Sequence, residues 1–249
     1  MAKKNKKAKI PLIILGVLVV TTGLVYYFNR PRFIRYPAFG ISLPSGYSIH
    51  GIDVSHYQSA IDWEDVKAMN IQKVSIGFSF IKATEGTDDI DDRFRQNWKG
   101  ARKAGIIRGA YHFFNPYKNG RAQALNFIRA VNLKPGDMPP VLDVEDAGQL
   151  SKAVLQQRVR DWLVTVEQHY KVKPLIYTGA DFYKFYLADT FDHYPLWVAH
   201  YLAKDRPRVK REWNFWQHNE AGRVNGISSY VDFNVFNGDS VAFQNLLYK

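Results

Sequence analysis

The sequence predicts an α/β protein built as an irregular (β/α) TIM-like barrel with a helix-poor last third, preceded by an N-terminal transmembrane helix. Five strand–helix units follow one another from about residue 48, which favours a parallel sheet. Three further strand-like runs complete a set of eight strands, the number found in a closed (β/α) barrel. An open doubly wound sheet is the alternative fold, but no glycine-rich phosphate loop follows the first strand.

The first 35 residues hold most of the excess positive charge of the chain. Five lysines and three arginines occur there without an acidic residue, whereas the whole chain of 249 residues has a net charge of +11. The rest of the chain is close to neutral, so its charge does not predict binding to nucleic acid. There is no cysteine, which excludes disulfides, thiolate metal sites and thiol nucleophiles.

An uncharged segment, Ile10–Phe28, follows the N-terminal lysines. As a helix it would extend about 28 Å, close to the thickness of the hydrocarbon core of a bilayer. We therefore predict a basic cytoplasmic tail over residues 1–9 and a transmembrane signal anchor over residues 10–28, with the remainder outside the cytoplasm on the periplasmic or extracellular face. A cleaved signal peptide is the alternative. Prolines and glycines predict a tether over residues 29–47, and the barrel should occupy residues 48–249.

The strands and helices of the barrel are predicted from apolar runs and amphipathic stretches. The five strand–helix units are Ile49–Val54 with Trp63–Asn70, Val74–Lys82 with Phe94–Ala104, Ile107–Phe113 with Arg121–Val131, Pro140–Val144 with Lys152–Tyr170, and Leu175–Tyr177 with Asp181–Leu187. The last three strands are Leu196–Ala199, Phe215–His218 and Val231–Phe236. The segments between these three are too short, or too rich in proline, glycine and charge, to form good helices.

Asp143 and Glu145 lie two residues apart at the end of the fourth predicted strand. That spacing directs both side chains to one face of a strand, and a carboxylate pair of this kind is what glycosidic bond cleavage requires. Strand ends meet at one mouth in a barrel, so we expect Asp53, Glu85 and Asp232 to lie there as well. Any one of these acids could instead be a helix cap or a solvated turn residue, but their convergence indicates a site.

The same strand ends carry aromatic side chains that can stack on sugar rings. Packing in the core is the alternative role for Phe113 and Tyr177. Histidines near the strand ends form no i, i+4 pair of the zinc-protease type, and no G-x-S-x-G serine motif is present. We therefore expect no metal and no other cofactor. The aromatic residues in question are Tyr111, Phe113, Tyr177, Trp197, Tyr201 and Trp216.

Seven segments, in order between residues 49 and 240, carry a resemblance to a known family. They are Gly51–Gln58, Phe80–Gly86, Gly109–Phe114, Pro140–Glu145, Trp197–Tyr201, Phe215–Gln217 and Val231–Asn234. Together they resemble glycoside hydrolase family 25, the Chalaropsis-type lysozymes. The resemblance implies an irregular (β/α)-type barrel that hydrolyses the β-1,4 bond between N-acetylmuramic acid and N-acetylglucosamine in peptidoglycan.

The resemblance also implies roles for individual residues. Glu145 matches the general acid, and Asp143, Asp53 and Asp232 match the other acids of the site. Retaining, inverting and substrate-assisted mechanisms stay open; we favour substrate assistance, with Asp143 orienting the N-acetyl group of the substrate. The residues expected to bind substrate are Glu85, Tyr111, Tyr177, Trp197, Tyr201, Trp216 and Gln217.

The expected partners are peptidoglycan glycan strands and, through the N-terminal helix, the membrane, with the protein acting as a monomer. Three other functions are left as alternatives. A chitinase-like N-acetylglucosaminidase would use the same carboxylate pair, a non-catalytic anchored glycan-binding module would use the aromatic residues alone, and a metal-dependent polysaccharide deacetylase would need a metal.

Overall fold

The computed structural model describes residues 14–23 and 32–249, and an eight-stranded barrel forms its centre. Residues 14–23 are an exposed helix, α1. The strands are β1 (Phe33–Tyr36), β2 (Ile41–Pro44), β3 (His50–Val54), β4 (Asn70–Ile71), β5 (Val74–Glu85), β6 (Asp89–Ile90), β7 (Ile107–Phe113), β8 (Val141–Asp143), β9 (Leu175–Gly179), β10 (Leu196–Ala199), β11 (Phe215–Gly222) and β12 (Val231–Phe236). The other helices are α2 (Trp63–Ala68), α3 (Phe94–Lys103), α4 (Gly120–Ala130), α5 (Lys152–Tyr170), α6 (Ala180–Phe182), which continues as a π-helical turn over Tyr183–Leu187, and α7 (Ser240–Leu246).

Strands β3, β5, β7, β8, β9, β10 and β11 run parallel to their neighbours, and β12 closes the ring between β11 and β3. β12 is antiparallel to both of these strands. The predicted fold class is therefore wrong, because the barrel is mixed and not a parallel TIM-like barrel. Only eight residues join β11 to β12, and a connection that short returns the chain antiparallel, whereas a parallel neighbour needs a crossover of a dozen or more residues.

The transmembrane helix predicted over residues 10–28 also needs correction. Of that segment the structure describes residues 14–23, and the rest, together with the predicted tail over residues 1–9, lies outside the described residues. Within the described ranges, no helix combines the length and the apolar character needed to cross a membrane. The prediction rested on the length and uncharged composition of the segment and on the lysines before it, and these sequence features alone do not establish a spanning helix.

An antiparallel hairpin, β1 with β2, lies where the sequence predicts an irregular tether. Gly40 has a φ of +70° at its turn, a conformation that glycine adopts without strain. The side chains of Phe39, Ile41 and Leu43 are almost fully buried, and the Phe39 carbonyl accepts a hydrogen bond from the Arg223 amide after β11. The hairpin therefore packs on the outer wall of the barrel and belongs to the same folded unit.

Aromatic rings fill the barrel interior and close its lower end, which is the end at which the parallel strands begin. Phe80 stacks on Trp197 with ring centroids 4.1 Å apart, and Phe243 of α7 contacts Phe78 and Phe215 from below. Gly51 makes room for this packing, because a Cβ there would lie 2.4 Å from the Phe78 ring. Since the lower end is filled, the interior opens only toward the C-terminal ends of the parallel strands, where the predicted site residues lie.

Helices α4 and α5 pack closely on the outside of the barrel, and one glycine allows their contact. Ser151 caps α5 by accepting a hydrogen bond from the Val154 amide. At the start of α4, a Cβ on Gly120 would lie 2.0 Å from the carbonyl oxygen of Arg158 in α5. That oxygen belongs to helix backbone, which cannot move without shifting the whole of α5.

We expect Gly120→Ala to lower the free energy of unfolding by about 1–3 kcal/mol, the usual cost of overpacking. Urea denaturation followed by circular dichroism measures it. The matched control is Gly179→Ala, because a Cβ on Gly179 would meet no atom within 4 Å. Equal urea midpoints for the two variants would show that the α4–α5 contact yields more easily than the geometry indicates.

Candidate active site

A cavity of about 270 Å³ opens at the C-terminal ends of the parallel strands. Nine of the eleven residues predicted to act on or bind substrate line it, so the structure brings most of the predicted site together. The lining residues are Asp53, Val54, Ser55, Tyr57, Gln58, Lys82, Tyr111, Phe113, Asp143, Glu145, Tyr177, Trp197, Tyr201, Gln217, Glu220 and Asp232.

A larger cavity of about 710 Å³ lies at the opposite end of β10 and β11. Two of its polar side chains, Arg211 and Asp192, form hydrogen bonds with neighbouring segments of the chain. Arg211 donates hydrogen bonds to the carbonyls of Phe191 and Tyr194, and Asp192 accepts from the Tyr183 hydroxyl and the Asp189 amide. The smaller cavity is therefore the better candidate, because its carboxylates converge on open space.

Asp53 and Asp232 face each other on adjacent strands at the mouth. Asp53 is near the end of β3, and Asp232 is the second residue of β12. The two are direct partners in the antiparallel register. The reversed direction of β12 is what brings Asp232 to the mouth, since the second residue of a parallel strand would lie at the closed end.

Two amide side chains hold the carboxylate of Asp53. Its Oδ2 accepts hydrogen bonds from Asn234 Nδ2 at 2.6 Å and from Gln217 Nε2 at 2.9 Å. The Tyr177 and Tyr201 hydroxyls donate to Gln217 Oε1 at 2.6 and 2.7 Å. Burial raises the pKa of Asp53, and the two amide donors oppose that rise.

Asp143 ends β8, and Glu145 follows in the loop beyond it. Asp143 is 6% exposed, and its Oδ1 has no hydrogen-bond partner in the part of the chain that the structure describes. Burial raises its pKa well above the usual range, and the negative charges of Glu145 and Asp53 add to the effect. Desolvation by the cavity walls also raises the pKa of Glu145, while the polar hydroxyl of Tyr177 beside it opposes this rise. Both carboxyls are thus biased toward the neutral form that a proton donor needs.

The predicted aromatic residues divide between the cavity and the core. Tyr111, Tyr177, Trp197 and Tyr201 line the cavity, although Trp197 is only 2% exposed and contributes mainly to the floor. Trp216 does not reach the cavity, because successive residues of β11 face opposite sides of the wall and its neighbour Gln217 faces inward.

Trp216 instead packs on the outer wall of the barrel. It is completely buried, with its ring against Phe33, Tyr47 and Trp213 and its Nε1 donating to the His200 carbonyl. The structure therefore gives it a place in the core and not the predicted place in the substrate site.

Glu85 is the other predicted residue outside the lining set. Its Oε2 accepts a hydrogen bond from Lys82 Nζ at 2.7 Å, and it is Lys82 that lines the cavity. Lys82 was not predicted as a site residue, although it stands three residues before Glu85 in the segment Phe80–Gly86. Its charge lowers the pKa of Asp143 against the larger effect of burial.

Three further side chains at or beside the cavity were also not predicted. Tyr57 is 76% exposed at the rim of the cavity, and Glu220 lines it from β11. Asn234, which holds Asp53, stands two residues after Asp232, so the alternation used for Asp143 and Glu145 would have placed it on the same face. The signal was present for Asn234, whereas a lone exposed tyrosine carries none.

Of the histidines near the strand ends, His50, His112 and His218 are buried, whereas His56 is exposed. His112 is completely buried, with Nδ1 2.7 Å from Thr84 Oγ1 and Nε2 3.2 Å from Gln123 Oε1. Burial lowers its pKa to about 3. Among the described residues, no three acids or histidines are grouped so as to hold a metal ion.

Comparisons with known proteins agree on one family. The sequence profile of the Glycosyl hydrolases family 25 matches residues 52–227. The chain is 45% identical to the uncharacterized protein YegX of Escherichia coli K12, over 88% of this chain and 79% of that protein. It is 38% identical to Lysozyme M1 of Streptomyces globisporus, over 77% of this chain and 69% of that protein. A family 25 glycosyl hydrolase from Bacillus anthracis superposes with a TM-score of 0.74 at 33% identity, covering 82% of this chain and 95% of that structure.

Proposed function

Because the chain belongs to glycosyl hydrolase family 25, we propose that it hydrolyses the β-1,4 bond between N-acetylmuramic acid and N-acetylglucosamine in peptidoglycan. The observation that carries the proposal is the placement of Asp143 and Glu145 in one cavity at the open end of the barrel. Relatives named as lysozymes support the choice of substrate. The chitinase-like, non-catalytic and deacetylase alternatives have no comparable support.

In the proposed reaction, Glu145 donates a proton to the glycosidic oxygen. It lies beyond the end of β8 at the mouth, where a glycan strand can reach it, and its raised pKa keeps part of it protonated under mildly acidic conditions. As the bond between C1 and the leaving oxygen breaks, the Glu145 proton passes to that oxygen and positive charge develops on the sugar ring.

In the same proposal, Asp143 orients the N-acetyl group of the substrate. Its buried Oδ1 has no partner among the described residues, and an acetamido N–H entering the cavity would supply one. The acetamido oxygen would then bond to C1 as the leaving group departs. Water would next attack C1, breaking its bond to the acetamido oxygen, and give its proton to the Glu145 carboxylate, so that the product keeps the original anomeric configuration.

Peptidoglycan lies outside the cytoplasm, so the proposed substrate requires the barrel to act there. The aromatic rim suits a glycan strand, since Tyr57 and Tyr201 are exposed beside the acids and can stack on sugar rings.

We expect purified peptidoglycan, digested with the protein, to release fragments whose new reducing ends are N-acetylmuramic acid. Mass spectrometry after borohydride reduction identifies that end. Chitin treated in parallel should release little, and Glu145→Gln is the control for contaminating hydrolases. New reducing ends of N-acetylglucosamine, or equal digestion of chitin, would contradict the proposal.

A further inference from the structure

The orientation of Asn234 identifies which of the two facing acids, Asp53 or Asp232, carries the negative charge. Trp197 Nε1 lies 2.8 Å from Asn234 Oδ1. An indole N–H can only donate, so Oδ1 must face it and Nδ2 must face Asp53. Asp53 Oδ2, 2.6 Å from that Nδ2, is therefore an acceptor.

A second amide adds to this arrangement. Gln217 Nε2 donates to the same oxygen of Asp53 at 2.9 Å, and the Tyr201 hydroxyl fixes the amide by donating to Oε1 at 2.7 Å. Two N–H donors on one carboxylate oxygen favour the ionised form. Asp53 is 7% exposed, so few water molecules compete with these donors.

Among the residues that the structure describes, no amide side chain donates a hydrogen bond to Asp232. Its carboxyl is hydrogen-bonded to that of Asp53 across the β12–β3 register, and two carboxyl groups can share a hydrogen bond only if one of them is protonated. The other charged groups that act on Asp232 are Glu220 from β11 and Glu145 from the loop after β8. Both are acids, while Lys82, a cation that lines the cavity, is paired with Glu85.

We propose that Asp232 is a positioning residue that acts as a neutral carboxylic acid, donating its proton to Asp53, so that the pair enters the reaction with a single negative charge. This rests on the proposed function for its catalytic meaning, although the protonation itself does not. Burial and the Asp53 charge raise the pKa of Asp232, in agreement with the geometry. The shared proton holds the Asp53 carboxylate in place. It also leaves the pair of acids with one negative charge, and not two, beside the sugar ring.

The activity test compares two substitutions of Asp232. Asp232→Ala removes the donor, and we expect kcat/KM on peptidoglycan to fall about 10- to 100-fold, the usual contribution of a hydrogen bond to a charged group. Asp232→Asn supplies an N–H donor without a titratable proton, so it should recover most of that loss. Asp53→Asn removes the charge itself and should not show this recovery.

The stability test needs no substrate. The folded protein keeps a proton on Asp232 that the unfolded chain releases above about pH 4, so the wild-type protein loses stability as the pH rises toward the folded-state pKa. Asp232→Asn lacks that loss. The difference in melting temperature, variant minus wild type, should therefore increase steadily from pH 5 to pH 9.

Asp92→Asn, at an exposed acid before α3, controls for the loss of one negative charge from the domain. A melting-temperature difference for Asp232→Asn that does not change with pH would overturn the proposal, as would an Asp232→Asn enzyme no more active than Asp232→Ala. Failure of the wild-type protein to digest peptidoglycan would instead count against the proposed function and leave the thermal comparison to decide the protonation.

Discussion

Replacing Glu145 with glutamine is expected to reduce turnover on peptidoglycan by about 10²- to 10⁴-fold, the range that general acid catalysis contributes. Glutamine keeps the shape of the side chain but has no proton acidic enough to reach the glycosidic oxygen. Because Glu145 lies in a loop at the mouth and not in the packed barrel, the fold should survive. Release of soluble fragments from purified peptidoglycan measures the loss, and circular dichroism measures the fold.

The pH profile provides a second reading of the same variant. In the wild-type protein, activity should fall as the pH rises through the pKa of Glu145, which desolvation places above its ordinary value, because the proton donor is then lost. The residual activity of Glu145→Gln should lack that fall. Glu64→Gln, at an exposed acid of α2, is the matched control and should digest peptidoglycan at the wild-type rate. A Glu145→Gln enzyme with undiminished turnover would remove Glu145 from the mechanism.

Asp143→Asn is expected to be comparably damaging. The substitution removes the carboxyl group that would orient the substrate's acetamido group and that, on ionising in the complex, would stabilise the positive charge developing beside C1. Its effect should appear mainly in kcat, because the charge that Asp143 opposes exists only as the bond breaks. Steady-state kinetics on defined peptidoglycan fragments would separate kcat from KM.

Unlike the activity, the melting temperature should not fall in this variant. Burial raises the pKa of Asp143, so the folded protein favours its neutral form, and asparagine is neutral at every pH. Asp143→Asn should therefore melt no lower than the wild-type protein at pH 7, which separates lost chemistry from lost folding. A mild kinetic effect would transfer the supporting role to Asp53. An inverted anomeric configuration in the first product, observed by NMR, would contradict substrate assistance altogether.

The strands that carry the site were predictable because their signal is local. The bounds of Ile107–Phe113, Leu196–Ala199 and Val231–Phe236 agree between sequence and structure, since uninterrupted apolar or alternating runs mark them. Asp143 ends β8 at the mouth as predicted, whereas Glu145 lies in the loop beyond the strand, where strand alternation no longer applies.

Strand direction and the facing of single residues were not predictable in the same way. Alternation along Val231–Phe236 is identical whether the strand runs up or down, so its reversal is decided by the short connection before it and by pairing with β3. Trp216 differs from Gln217 by one position, and a shift of one residue exchanges the two faces of a strand. The outer wall needed a large apolar group there only because the β1–β2 hairpin covers it, and that contact is distant in sequence.

The hairpin also changes where the autonomous folding unit begins. A shortened protein begun at Ser48, the boundary that composition suggests, would lose Phe39, Ile41 and Leu43, all nearly inaccessible to solvent. Each contributes about 1.5–3 kcal/mol by burial, so their sum is comparable with the whole stability of a typical domain, about 5–15 kcal/mol. The truncation would also uncover Trp216 on the barrel wall. A recombinant version intended to fold and stay monodisperse should therefore start before Phe33.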